Sequence, residues 1–122
     1  MKTHILILVI ALTVTLFNAC SKDKTSGTDG DGGTLNCRTI TNKAFAADVN
    51  PIIQTSCATN SGCHGSGSVN GPGALTSYTA IFNARTSIRT AVANGTMPQN
   101  STLSTSQKNS LLCWIDSGAP NN

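Results

Sequence analysis

Charge and aromatic rings are scarce in this chain. Only 11% of its 122 residues are Asp, Glu, Lys or Arg, and no basic run stands among them. With a formal charge of +3, one Trp, one Tyr and three Phe, it lacks the clustered cations and stacking rings of a nucleic-acid binder, so no nucleic-acid partner is expected. The acids are all Asp, and beyond residue 37 only Asp48 and Asp116 remain. That leaves no paired carboxylates for general acid–base work, and no nucleophile or phosphate-cradling constellation accompanies them. No alternating strand pattern, heptad run or series of long apolar stretches is present, which excludes a coiled coil and a polytopic membrane protein. With 39% apolar residues in so short a chain, the core is thin and needs a staple.

The one long apolar stretch is at the start. Lys2 precedes an uncharged run from Ile5 to Phe17. Its 13 residues reach roughly 20 Å at ~1.5 Å each, short of the ~30 Å hydrocarbon core, so residues 1–19 read as a signal peptide and the chain as exported. Ala19-Cys20 at its end resembles the lipobox of bacterial lipoproteins. That resemblance implies a lipid on Cys20 and anchoring to the bacterial outer membrane, on its periplasmic or its cell-surface face; ordinary cleavage near Ala19 is the alternative. Residues 20–36, rich in Gly and Asp with Leu35 as the single aliphatic, read as a flexible tether with an r.m.s. reach of ~20–24 Å. The folded body is then 37–122.

That body carries three helical signals separated by Gly-, Ser- and Asn-rich loops, and the expected class is mainly α. Phe45, Val49, Ile52 and Ile53 mark one apolar face over roughly 44–56, with Pro51 best accommodated at a first helical position. Tyr78, Ile81, Phe82, Arg85, Ile88 and Val92 mark one helix or two short ones between Ser77 and Ala93, stopped by Asn94-Gly95. Leu111, Leu112, Trp114 and Ile115 mark a third, capped by Ser104 or Thr105 and ended by Gly118 and Pro120. Between the first two, 57–76 is a long loop, which inside a compact domain points to function.

The loop opens with Cys57, five spacer residues, Cys63 and His64. Two cysteines running into a histidine follow the logic of c-type haem attachment: thiols add to the two vinyl groups and the adjacent imidazole reaches the iron. The usual spacer is two residues; here Asn60, Ser61 and Gly62 are types that let a longer one bulge. A Cys57–Cys63 disulfide is the plain competitor. Met97 follows His64 by 33 residues, in the loop Gly95-Thr96-Met97-Pro98, where a flexible thioether can approach from the opposite side.

With Asp48 to Ile53, Cys57 to Gly65, Gly71-Pro72-Gly73, Gly95 to Pro98 and the ending Trp114 to Asn122, residues 45–122 resemble the class I-type, monohaem cytochrome c-like domain of small exported bacterial lipoproteins. The resemblance implies a small helical bundle of three or more helices around one covalent haem c, with terminal helices crossing beside it. Cys57 and Cys63 would form the thioethers, His64 and Met97 the axial ligands, and a carbonyl of the turn at Pro72 would accept the imidazole proton. It also implies one-electron transfer with redox partner proteins, by a monomer that is not an enzyme. If haem takes two cysteines and lipid takes Cys20, then Cys37 and Cys113 remain to pair. Arg85 and Arg89, four apart on one helical side, can pair with a haem propionate or stand as solvated charge; Trp114 can reach a propionate or fill the core. Zinc on Cys57, Cys63 and His64 lacks a fourth ligand. The alternative of a different class is a cofactor-free, disulfide-stapled lipoprotein serving as a binding or assembly module.

Overall fold

A computed structural model describes residues 35–122. The expected signal peptide, Cys20 and all but the last two residues of the expected tether lie outside the described residues. Within them the chain is helical and has no strand, as expected for a mainly α protein. A π-helical turn, Phe45–Val49, runs into α1, Asn50–Ser56; α2 spans Tyr78–Ala93 and α3 spans Thr105–Asp116. None of these helices is long and apolar enough to cross a membrane.

Proline explains the start. A proline ring collides with the carbonyl four residues before it and offers no N–H, so a regular α-turn cannot pass through Pro51. The chain takes a wider turn instead, in which Val49 N–H donates to Ala44 O (3.1 Å) and Asn50 N–H to Phe45 O, and Pro51 falls in the first turn of α1. The free amides ahead of that turn are met by side chains and by the other end of the body: Asp48 Oδ2 accepts from Ala44 N–H (2.8 Å), and Asn122 accepts from Phe45 N–H through Oδ1 (2.9 Å) and from Ala46 N–H through its backbone oxygen (2.7 Å). The 77–93 region is one helix, its first turn capped by Ser77. The third helix begins with a full capping box, Ser104 Oγ accepting from Gln107 N–H and Gln107 Oε1 from Ser104 N–H.

The core is small and centred on Trp114, which is fully buried with its ring 5.4 Å from Phe45. Its indole N–H donates to Pro120 O (2.9 Å), so Trp114 fills the core and is committed to the chain's own backbone. Tyr78 lies edge-on to Phe45 and donates its hydroxyl to Ala119 O (2.9 Å). Residues 119–122 are thereby strapped across the first helical turn, and Phe45 and Trp114 bring the first and last helical segments together.

One boundary moves. Leu35, placed in the tether by its solitary aliphatic character, is buried against the core, and Asn36 accepts from Arg38 N–H and Thr39 N–H. The folded body therefore includes residues 35 and 36, because packing against the core supplies what local composition lacks.

The expected staple is present: Cys37 and Cys113 are disulfide-bonded across a separation of 76 residues, tying the start of the body to the fully buried face of α3. In the chain-entropy account a loop of that length contributes ~4 kcal/mol. Replacing both cysteines with Ser is expected to cost roughly that much in urea unfolding, as for other disulfides that bridge long loops; an unchanged unfolding midpoint would contradict this role.

Candidate functional site

The long loop, the loop that carries Met97, α1 and α2 together line a cleft of about 720 Å³. Cys57, Cys63, His64, Pro72 and Met97 all line it. Cys57, Cys63 and His64 thus share one cavity with Met97, 33 residues further along the chain. Ile53, Leu75, Ile88 and Val92 supply buried apolar wall, and no Asp, Glu, Lys or Arg is among the lining residues.

His64 is held at three points. Its backbone N–H donates to Cys57 O (3.0 Å), its carbonyl accepts from Leu75 N–H (2.8 Å), and its ring Nδ1 lies 3.2 Å from Gly73 O. A carbonyl can only accept, so Nδ1 is the donor in that contact, and in the neutral imidazole Nε2 is then the nitrogen that carries the lone pair. The acceptor is Gly73 rather than Pro72. Gly71 and Gly73 both have positive φ (+55° and +86°), which folds the turn around the imidazole, and a Cβ on Gly71 would stand 3.3 Å from His64 Cε1. Only this backbone brings the carbonyl after Pro72 onto the ring.

The thiols of Cys57 and Cys63 are unbonded, so the disulfide expected as their competitor is not formed. Burial pushes the Cys57 thiol above the usual cysteine range, and the neighbouring Cys63 adds to the rise. Thr96 N–H (2.9 Å) and Met97 N–H (3.3 Å) both donate to Ala91 O, hooking the methionine loop onto the last turn of α2. Met97 is half-buried, in a loop and not on a helical face.

Two expected residues do not join the cleft. Arg89 forms a two-point ion pair with Asp116, at 2.6 and 2.9 Å, that ties α2 to α3. The Arg85 guanidinium sits 4.0 Å over the Phe82 ring and donates to Phe82 O (2.7 Å). Neither lines the cavity, so propionate pairing finds no support in their placement. Among the described residues no three His, Cys, Asp or Glu side chains converge as a metal-binding group. Asn60, expected only to let the spacer bulge, accepts from Gly62 N–H, and Ser68 and Asn70, which carry no local signal of such a role, bind the loop internally through Cys63 O and Gly62 O.

Compared with family profiles, curated proteins and solved structures, the chain matches none.

The donor set fits a covalently held haem: two free thiols, an imidazole whose Nδ1 is anchored, and a thioether, all lining one cleft with Ile53, Leu75, Ile88 and Val92. The cleft volume lies within the ~300–1,000 Å³ of cofactor sites. The raised Cys57 thiol generates a further test. With the folded value above the unfolded one, folding favours the protonated thiol below the ordinary cysteine pKa, and that contribution disappears as pH rises toward the folded value. In the haem-free protein, iodoacetamide at pH 8 is expected to modify Cys57 at least several-fold more slowly in the folded state than in urea; equal rates would show an unburied, ordinary thiol.

Proposed function

We propose that this chain is a monohaem c-type cytochrome of the class I type, an electron carrier held by lipid on Cys20 at the bacterial outer membrane after export. The observation that carries the reading is the convergence of Cys57, Cys63, His64 and Met97 on one apolar cleft, with the imidazole already oriented by Gly73 O. On this reading Cys57 and Cys63 would hold the haem c covalently, and His64 and Met97 would be the side chains that ligate its iron. When bound, the haem supplies one-electron chemistry at its iron, with redox partner proteins as donor and acceptor.

The chain's own residues do the rest. Gly73 O holds the Nδ1 proton and so fixes the ring and its basicity, as an outer partner does for any ligating histidine. Ile53, Leu75, Ile88 and Val92 keep water from the interior of the cleft. Ala91 O restrains the Met97 loop as Gly73 O and Leu75 N–H restrain His64, and with both side chains held on the iron no position would be left for substrate, so the proposed role is a carrier and not an enzyme. The tether lets the domain reach partners from a fixed anchor.

Expression with a c-type maturation system should give a coloured protein whose haem stays with the polypeptide after denaturation, lost when Cys57 and Cys63 are both replaced by Ser. A colourless product with a Cys57–Cys63 disulfide would instead favour the cofactor-free binding module. Met97→Ala is expected to lower the reduction potential and admit carbon monoxide to the reduced protein, since a thioether favours the ferrous state. Unchanged potential and ligand binding would return Met97 to a packing role.

A further inference from the structure

The spacer between the two thiols is Ala58-Thr59-Asn60-Ser61-Gly62, a composition with almost nothing to pack. Left free, such a segment would spread Cys57 and Cys63 over many separations. It is not free. Asn60 Oδ1 accepts from Gly62 N–H (2.9 Å) and Cys63 N–H (3.1 Å), while Asn60 O accepts from Cys63 N–H (3.1 Å) and Gly65 N–H (2.8 Å). The amide between them, His64 N–H, turns back to Cys57 O. Every amide from 62 to 65 therefore ends on Asn60 or Cys57. The knot is tight: a Cβ on Gly65 would lie 2.7 Å from the Asn60 carbonyl carbon, so only Gly closes it. Asn70 Nδ2 bonded to Gly62 O (2.8 Å) and Ser68 Oγ bonded to Cys63 O tie it to the wall of the cleft.

We propose that Asn60 is a positioning residue that folds the five-residue spacer into a fixed loop, holding Cys57 and Cys63 as an open dithiol in register with His64. In the same structure Cys37 and Cys113 are bonded, while Cys57 and Cys63, six residues apart and on one cleft wall, are not. The knot thus opposes ring closure between two thiols that chain proximity alone would favour. An Asx-type acceptor is required: Asp supplies the same oxygen at the same reach, whereas Ala supplies none. The inference rests on the haem reading for the purpose of the dithiol, and not for its geometry.

Two measurements on the full chain separate the two. In the haem-free protein, equilibration with glutathione follows two thiols plus one oxidised glutathione giving one protein disulfide plus two reduced glutathiones, read by peptide mapping of Cys57 and Cys63. Asn60→Ala is expected to shift this equilibrium at least threefold toward the disulfide, and Asn60→Asp to stay within twofold of wild type. In cells with a c-type maturation system, Asn60→Ala is expected to lower doubly attached haem at least fivefold, again with rescue by Asp. If wild type takes up no haem but the glutathione shift appears, the positioning role stands and the haem reading falls. An Asn60→Ala equilibrium equal to wild type overturns the positioning role whatever the haem result. Asn60 is exposed and outside the core; should Ala alter the circular dichroism spectrum, Asn60→Ser, with its shorter acceptor, takes its place with an expected shift of about twofold, and no shift there overturns the proposal equally.

Discussion

The three-point hold on His64 is the constraint on which the site depends. A segment from 57 to 76 with no helix or strand would ordinarily carry a heavy entropic cost of ordering and leave its side chains undirected. Here one residue in its middle closes two rings at once: His64 N–H back to Cys57 at the end of α1, and His64 O forward to Leu75, whose own side chain is buried in the core. The ring bond to Gly73 closes a third. The loop is therefore a wall whose geometry is set from the inside, and Gln54, donating to Leu75 O, fastens that wall to α1. Without those bonds the thiols and the imidazole would have no fixed relation to Met97.

The opposite constraint is the poverty of the core. Large fully buried side chains are few, with Trp114, Ile53, Ile81, Leu111 and Val49 foremost, and the fold compensates by covalent and polar cross-links between distant segments. The disulfide reaches from Cys37 to α3, Arg89 joins α2 to α3, and Asn122 caps the first helical turn. These links lie away from the residues that line the cleft. The charged side chains cluster with them: no Asp, Glu, Lys or Arg occurs between Asp48 and Arg85, or between Arg89 and Lys108, the two stretches that supply most of the cavity. Stability and chemistry occupy separate parts of a small body.

What was legible in the sequence was local. The cap at Ser104, the helix stop at Asn94-Gly95, and the place of Pro51 all follow from interactions within a few residues, and all are where those residues put them. The wider turn before Pro51 was not legible, because its partner Asn122 lies at the far end of the body. Leu35 was misplaced for the same reason, one aliphatic residue giving no periodicity from which burial can be read. Arg85 and Arg89 share a helix, but Arg85 is taken up by Phe82 three residues earlier in it and Arg89 by Asp116 of α3, partners that helical spacing does not select, and neither lines the cleft. Cys57, Cys63, His64 and Met97 were recognisable as residue types; that they share one cavity is tertiary information, and the choice of Gly73 over Pro72 as acceptor depends on two positive φ values that spacing cannot express.

On the proposed function, the long loop and the loop that carries Met97 would present His64 and Met97 to one bound iron. Met97 is the only methionine apart from Met1, so selective carbon-13 labelling of methionine methyl groups gives a single signal from the folded body. In the reduced haem-loaded protein the account predicts a Met97 methyl proton resonance displaced far upfield by the ring current of the macrocycle above which it sits, and still displaced after the protein is cycled between redox states. A Met97 methyl resonance at its ordinary position in the reduced protein would contradict it.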